Sequence, residues 1–201
     1  MNAKKCQYML FGRNHQLKQK QLNLKLFNDY IPKTNYIKFL GITLDPRVNF
    51  HKCMEEITKK CDSRLNILKI LANKAWKLNE ETIKAIYFSL VRSIIDYNSI
   101  IYPLLSKTNQ QKINSIQYKS LRISYRQPIK TTTLHLQMIA KTPSINDRIN
   151  DLNKRYLKNC MTNNNEQIID LIKKYKNWYP NSRNTQNKTF LCHYRDILFK
   201  N

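Results

Sequence analysis

Glycine is almost absent from this chain, and its scarcity limits what the chain can fold into. Only two glycines, Gly12 and Gly41, occur among 201 residues. GxGxxG and Walker phosphate-binding loops both need several glycines, because the backbone itself approaches the phosphates. Sandwiches and barrels join many short strands through turns that are rich in glycine. The sequence therefore excludes both phosphate loops and disfavours an all-β architecture.

The first 45 residues favour short β-strands. The predicted strands are residues 6–11, 22–27 and 36–44, of which the third is the most strongly β-favouring. Gly41 inside the third strand indicates a bulge, a bend or the close approach of another backbone. The Asp45-Pro46 pair should end that strand, because proline has no N–H to donate to a sheet. We expect these strands to form a small antiparallel β-meander.

From Asn49 onward the apolar residues recur at steps of three and four, which is the period of an amphipathic helix. Pro103 and Pro128 should end the second and third helices, because proline cannot continue a helix. Glu166–Tyr175 is a further predicted helix, and residues 177–189 are polar. The predicted N-caps of the helices are Asn49, Asn79, Thr108, Thr132 or Thr133, and Ser144. The predicted fold class is α+β, a meander followed by a mainly α-helical bundle.

The charge of the chain is strongly positive. Lysine and arginine number 36 against 13 aspartates and glutamates, a formal net charge of +23 that is spread along the whole sequence. Tyrosines such as Tyr118, Tyr125 and Tyr156 lie beside these cations. A field of this sign attracts polyanions, with nucleic acid first and anionic membrane second. The alternative is a compositional bias in which the charge only solvates the surface.

Residues for catalysis or metal binding are not grouped in the sequence. The five cysteines form no CxxC pair, so neither a disulfide framework nor a zinc site is predicted, and we expect reduced intracellular thiols. Glu55-Glu56 and Glu80-Glu81 are adjacent, so on a helix each pair diverges by about 100°. No apolar run is long enough for a signal peptide or a bilayer span. We expect an intracellular protein, in the nucleus or the cytoplasm.

Four segments occur in the order found in one enzyme family. Residues 2–11 read NAKKCQYMLF, residues 36–45 YIKFLGITLD, residues 90–98 LVRSIIDYN and residues 116–122 IQYKSLR. They resemble the N-x-x-K-T-x-x-x-x-F, Y-L-G-x-x-L-D, L-x-R-P-x-L-x-Y-G and I-Q-N-x-A-L-R segments of reverse transcriptases from non-LTR retrotransposons, especially jockey-like elements. The second segment is the primer grip of that family, and the third belongs to its thumb.

The departures from that pattern bear on activity. Cys6 stands where the family has threonine, Ser93 where it has proline and Asn98 where it has glycine. The resemblance begins downstream of the family's catalytic aspartates, and no Y-x-D-D motif occurs in these 201 residues. The resemblance therefore implies that this chain alone has no polymerase activity and no cofactor. Mg²⁺ would be expected only for the intact polymerase.

The resemblance also implies a division of the chain. Residues 1–46 would be a residual palm and primer-grip meander, and residues 47–128 a helical thumb. Residues 129–160 would be post-thumb helices, and residues 161–201 a helical, partly disordered basic tail. The implied partners are an RNA–DNA or DNA duplex and the palm and fingers of a parent polymerase.

The same resemblance assigns nucleic-acid-binding residues. Lys5 matches the motif lysine near the incoming nucleotide, and Phe39, Leu40 and Gly41 match the primer grip. Arg122 matches the helix arginine, which either contacts nucleic acid or packs structurally. Two other functions stay open: a basic helical scaffold for protein–protein contacts, and a peripheral membrane-surface protein.

Overall fold

A computed structural model describes residues 5–12, 20–178 and 190–194. The chain divides into two compact units, residues 1–57 and residues 58–201, and the division falls within the first long helix. Antiparallel strand pairs occupy the first unit and helices fill the second, which confirms the α+β class. Within the described residues, no helix is both long enough and apolar enough to cross a bilayer.

Two short β-hairpins form the described sheet structure of the first unit. Strand β1 (Lys25–Leu26) pairs with β2 (Asp29–Tyr30), and β3 (Ile37–Phe39) pairs with β4 (Ile42–Leu44), both antiparallel. In each hairpin the two connecting residues have positive φ. That pattern belongs to the tight turns whose twist matches paired strands. Antiparallel strand pairs are therefore present, as predicted, but they form two separate two-stranded sheets and not one continuous meander.

The predicted strand bounds were wrong. Residues 36–44 are not one strand but the hairpin β3–β4, because the chain reverses at Leu40 and Gly41. Residues 22–27 shorten to β1, since Phe27 already lies in a turn. Residues 6–11 contain only an isolated parallel bridge between Tyr8 and Lys33.

The loop before the first long helix is organised by one carboxylate. Asp45 accepts hydrogen bonds from the backbone N–H groups of Arg47 (3.0 Å), Asn49 (3.2 Å) and Phe50 (2.7 Å). Helix α1 (His51–Leu71) follows directly. The prediction of Asn49 as the N-cap was wrong, because the helix begins at His51 and Asn49 lies in the loop that Asp45 organises.

Helices make up the described part of the second unit. The region Glu80–Tyr97 is α2 (Glu80–Tyr87), a π-helical turn (Phe88–Arg92) and α3 (Ser93–Tyr97). The later helices are α4 (Lys107–Ser124), α5 (Thr133–Ala140), α6 (Ile145–Thr162), α7 (Glu166–Trp178) and α8 (Phe190–His193). Helix α4 packs against α2, α5 and α6, and α7 packs against α6. Helix α4 is therefore the centre of the bundle.

Most predicted caps are present. Asn79, Thr132 and Ser144 accept backbone hydrogen bonds at the starts of α2, α5 and α6, as predicted. Helix α4 starts earlier than predicted, because Ser106 and not Thr108 accepts from the Asn109 N–H.

Other predicted bounds moved or fall outside the described residues. The helix predicted to run to Pro103 ends at Tyr97, and Pro103 lies in the short 3₁₀ turn Tyr102–Leu104. Helix α7 extends to Trp178, three residues beyond its predicted end. The polar stretch at 179–189 and the end of the chain at 195–201 lie outside the described residues.

A buried ionic network joins the central helices. Arg92 is only 3% exposed, and its Nε donates to Asp96 Oδ1 at 3.2 Å. Asp96 Oδ2 accepts from Arg148 Nε at 3.1 Å and from Nη2 at 3.0 Å. Arg92 Nη1 also donates to Gln117, whose Nε2 reaches the Pro143 carbonyl at 3.2 Å. The network therefore ties α3 to α4, to α6 and to the loop before α6.

The tip of hairpin β3–β4 is strained and exposed. Leu40 adopts φ 45° and is 74% exposed, while the neighbouring Phe39 is 63% exposed. A left-handed conformation costs a residue with a Cβ about 1–2 kcal/mol. Glycine meets the same requirement at Gly41 (φ 81°) without that cost. The tip therefore holds an unfavourable leucine in a place where its side chain gains little burial.

Asp96→Asn should lower the free energy of unfolding of the second unit. The variant leaves the Arg92 guanidinium buried without a countercharge, which costs about 3–5 kcal/mol when a buried pair is broken. Urea denaturation followed by circular dichroism measures the loss. The matched control is Asp170→Asn, which removes the exposed Lys174–Asp170 pair and should cost less than about 1 kcal/mol. Equal losses in the two variants would contradict a structural role for Asp96.

Leu40→Asn should stabilise hairpin β3–β4. Asparagine tolerates positive φ better than leucine, so the hairpin should gain about 1 kcal/mol and its amides should exchange about fivefold more slowly. Hydrogen exchange of the β3 and β4 amides measures the gain. Leu134→Asn is the control, since Leu134 is 65% exposed on the regular helix α5. Faster or unchanged exchange in Leu40→Asn would show that the leucine carries no strain.

Candidate nucleic-acid interface

The predicted site residues fall into the two units. Phe39, Leu40 and Gly41 lie together at the end of hairpin β3–β4 in the first unit. Lys5 is exposed near the start of the described residues and is not part of that turn. Arg122 lies in the last turn of α4, in the second unit. The structure therefore groups the three residues assigned to the primer grip in one turn, while Lys5 lies outside that turn and Arg122 belongs to the second unit.

Arg122 has a structural partner. Its Nη2 donates to the Thr131 carbonyl at 2.9 Å, which holds the loop after α4 against the end of the helix. Its Nε is buried and has no hydrogen-bond partner among the described residues. The packing role that the sequence left open for this arginine is therefore present.

Arg122 also lines a cleft in the second unit. The cleft has a volume of about 820 Å³ and lies between the C-terminal halves of α1 and α4. Its lining residues are Asp62, Leu65, Asn66, Lys69, Ala72, Asn73, Ser115, Lys119, Arg122, Ile123, Arg126, Gln127 and Ile129. One long stripe of each helix faces the cleft, since the α1 and α4 residues recur at helical spacing.

Positive charge dominates the rim of the cleft. Lys69, Lys119, Arg122 and Arg126 contribute cations, and Asp62 is the one carboxylate among the described lining residues. Lys69 and Lys119 are exposed, so their ammonium groups can reach a ligand in solvent. The cleft therefore has the electrostatics of a polyanion site.

Backbone carbonyls fix the guanidinium group of Arg126. Its Nε donates to the Ala72 carbonyl at 3.3 Å and its Nη2 to the Leu78 carbonyl at 2.9 Å. These bonds connect the end of α4 to the segment after α1. Because neither acceptor is charged, the full positive charge of Arg126 stays at the cleft.

The other motif arginine is withdrawn from solvent. Arg92 belongs to the buried network, and its Nη1 also donates to the Tyr87 hydroxyl at 3.4 Å. Burial raises the pKa of Tyr87, although the nearby Arg92 charge opposes the shift. Because Asp96 neutralises Arg92 inside the bundle, this arginine is part of the core and does not face a phosphate.

The tyrosines that alternate with basic residues are mostly anchored within the bundle. The Tyr125 hydroxyl donates to Glu81 Oε1 at 3.0 Å, and this bond holds the pKa of Glu81 below its usual range. The Tyr118 hydroxyl accepts from Gln137 Nε2 at 3.0 Å. Tyr156 is 42% exposed. Of these three, only Tyr156 projects a large part of its ring into solvent.

Metal-binding and thiol chemistry have little support in the described part of the chain. No group of three or more histidine, cysteine or acidic side chains that could hold a metal is found among those residues. Cys61 is fully buried on α1, and burial raises the pKa of its thiol to about 12. A thiol with that pKa is protonated and unreactive at neutral pH.

The sequence analysis did not predict the cleft, although the spacing of its basic residues on α4 is visible in the sequence. Lys119, Arg122 and Arg126 are spaced by three and four residues, a helical spacing that puts Lys119 and Arg122 on one face of α4, with Arg126 just beyond its end. The opposing face on α1 comes from residues about 50 positions earlier. A single sequence carries no sign of that pairing.

Comparison with known proteins gives three partial matches. The chain is 29% identical over 121 residues to a protein described as a probable RNA-directed DNA polymerase from transposon BS of Drosophila melanogaster, covering 59% of this chain. It is 25% identical over 158 residues (78% of this chain) to the RNA-directed DNA polymerase from mobile element jockey of the same species. It is 26% identical over 123 residues (61% of this chain) to the jockey polymerase of Drosophila funebris.

The extent of these matches is limited. The matched regions span 13%, 17% and 13% of the three relatives' own lengths. No family model matches the chain, and no solved structure matches it. The similarity agrees with the four sequence segments, which resemble the same class of element. This chain is therefore similar to a limited part of the RNA-directed DNA polymerases of non-LTR retrotransposons.

Proposed function

We propose that this chain is a nucleic-acid-binding, thumb-type portion of a retroelement RNA-directed DNA polymerase, which holds a template–primer duplex by its backbone. The observation that carries the proposal is the basic cleft on a helical bundle whose sequence is similar to such polymerases. Under this proposal residues 1–46 form the primer-grip part, residues 47–128 the thumb and residues 129–160 the post-thumb helices. Residues 161–201 form a basic tail.

The charge balance supports a polyanionic partner. Even if each of the 13 acidic residues paired with one cation, most of the 36 lysines and arginines would lack a countercharge. Several described acids are already committed, as Glu55, Glu81, Asp96 and Asp170 each form a salt bridge. Phosphates replace the missing countercharges, and release of their counterions drives binding.

Different residues would make different kinds of contact with the nucleic acid. Lys69 and Lys119 on the cleft rim, with Lys5 in the first unit, supply cations for phosphate oxygens. Phe39 and Leu40 present exposed apolar surface at a fixed turn, which suits contact with sugars and base faces. Arg122 acts mainly through its structural bond to Thr131. None of these groups forms a base-reading motif, so the binding should be largely independent of sequence.

The proposal gives this chain no chemical step of its own. The parent activity is templated nucleotide transfer, in which Mg²⁺ ions held by carboxylates stabilise the reacting phosphate. The Y-x-D-D segment that holds such metals in the resembling family does not occur in these 201 residues. The chain would therefore act with the palm and fingers of a parent polymerase, inside the cell where template and primer meet.

The double variant Lys69→Gln, Lys119→Gln should weaken binding to an RNA–DNA hybrid and flatten its salt dependence. Each lost phosphate contact reduces the slope of log K against log salt by about 0.9, so the slope should fall by about 2 units. Fluorescence anisotropy at several salt concentrations measures this. The matched control is Lys154→Gln with Lys158→Gln, which removes the same charge from exposed positions on α6 that do not line the cleft. Equal changes in the two double variants would mean that total charge, and not the cleft, governs binding.

The same titration separates the two alternatives. A protein–protein scaffold should show weak hybrid binding with a flat salt response. A membrane-surface protein should bind anionic vesicles more tightly than the hybrid at the same salt concentration.

Purified alone, the chain should incorporate no nucleotide on a primed template with Mg²⁺. Primer extension followed on a sequencing gel measures this. A retroviral reverse transcriptase in the same buffer is the positive control. Templated extension by this chain would overturn its assignment as a binding portion.

A further inference from the structure

The floor of the cleft between α1 and α4 is apolar. Leu65 lies at its base with 4% exposure, and Ile123 and Ala72 are partly buried beside it. Ile129 adds a side chain that is 90% exposed. Contact with a phosphate backbone requires cations and hydrogen-bond donors but no apolar floor. Contact with a phosphate backbone therefore does not explain the apolar floor of the cleft.

The size and polar groups of the cleft suit a planar organic group. About 820 Å³ lies within the range of roughly 300–1,000 Å³ typical of small-ligand sites. Asn66 and Gln127 bring amide groups to the lining. Asn66 Oδ1 accepts from Lys69 at 3.4 Å, so Asn66 Nδ2 can donate to a ligand. Gln127 Nε2 donates to the Tyr125 carbonyl at 3.1 Å, so Gln127 Oε1 can accept from a ligand. Proteins that bind a base flipped out of its duplex surround it with apolar side chains and a few hydrogen-bonding groups.

Two guanidinium planes are held in place at the same cleft. Arg122 is anchored by the Thr131 carbonyl, and Arg126 by two carbonyls of the segment after α1. A guanidinium that is oriented in advance loses little entropy when a flat ring stacks on it. Unpaired bases stack on arginine planes as well as on aromatic rings.

Resting on the proposed function, we infer that this cleft binds an unpaired base at a single-stranded end or overhang of the bound nucleic acid. In a duplex the bases are stacked inside, so only an unpaired base can reach Leu65 and Ile123. Its flanking phosphates would contact Lys69 and Lys119 on the rim. A peptide with acidic side chains would match the charge but not the two fixed guanidinium planes.

The test compares three versions of one RNA–DNA hybrid: blunt, with a short single-stranded overhang, and with an abasic overhang of equal length. The abasic strand keeps the phosphates and removes the bases. Stacking of one base is worth about 1–3 kcal/mol, so the overhang should bind about tenfold more tightly than the abasic one. Equal affinities for these two hybrids would overturn the inference.

Ser115→Trp should fill the cleft from an exposed position on α4. It should abolish the preference for the overhang over the abasic strand, a comparison of two hybrids on one variant that does not depend on its affinity for the blunt hybrid. Asn159→Trp is the matched control, an exposed position on α6 outside the cleft lining, and should keep the preference. Ile129→Ser is the second variant, because a residue that is 90% exposed can be changed without unfolding the bundle, and should reduce the preference.

The outcomes separate this inference from the proposed function. Failure to bind any of the three hybrids would overturn the proposed function and the inference together. Binding of all three with no overhang preference, or a preference that survives both Ser115→Trp and Ile129→Ser, would overturn the inference alone. An acidic amphipathic peptide whose binding is lost in Ser115→Trp, with hybrid binding unaffected, would identify a peptide site and also overturn it.

Discussion

The bundle depends on neutralising the guanidinium of Arg92 inside it. A buried charge without a partner is costly, so the surrounding helices must supply a carboxylate and further acceptors at fixed positions. Asp96 supplies the charge from one turn later, Gln117 supplies an acceptor from α4, and Arg148 of α6 binds the second oxygen of Asp96. The arrangement of α3, α4 and α6 follows from these contacts, since each helix carries one member.

Four of the scarce acidic residues, Asp96 among them, help to build the fold. Asp45 gathers three backbone donors before α1, Glu56 accepts from Thr43 at 3.0 Å, and Asp147 completes the cap at Ser144. Most of the other described carboxylates are exposed, and Glu55, Glu81 and Asp170 each pair with a nearby lysine. The positive field is therefore a consequence of how few the acids are.

Local chemistry was readable from the sequence, and distant pairing was not. Asn79, Thr132 and Ser144 cap their helices as predicted, because an N-cap bonds to residues only two or three positions away. The reversal at Leu40 was missed, since a leucine gives no sequence sign of positive φ. The cleft was missed for the other reason: Lys69 and Lys119 meet only when α1 and α4 line one cavity.

The π-helical turn Phe88–Arg92 constrains the number of residues in this part of the chain. Such a turn is an α-helix carrying one inserted residue, so its loss would rotate everything after it by about 100°. Every later side chain would shift by one helical position, so Asp96 would leave its place beside Arg92 and Arg148. The number of residues between Tyr87 and Asp96 therefore matters to the ionic network as much as their identities do.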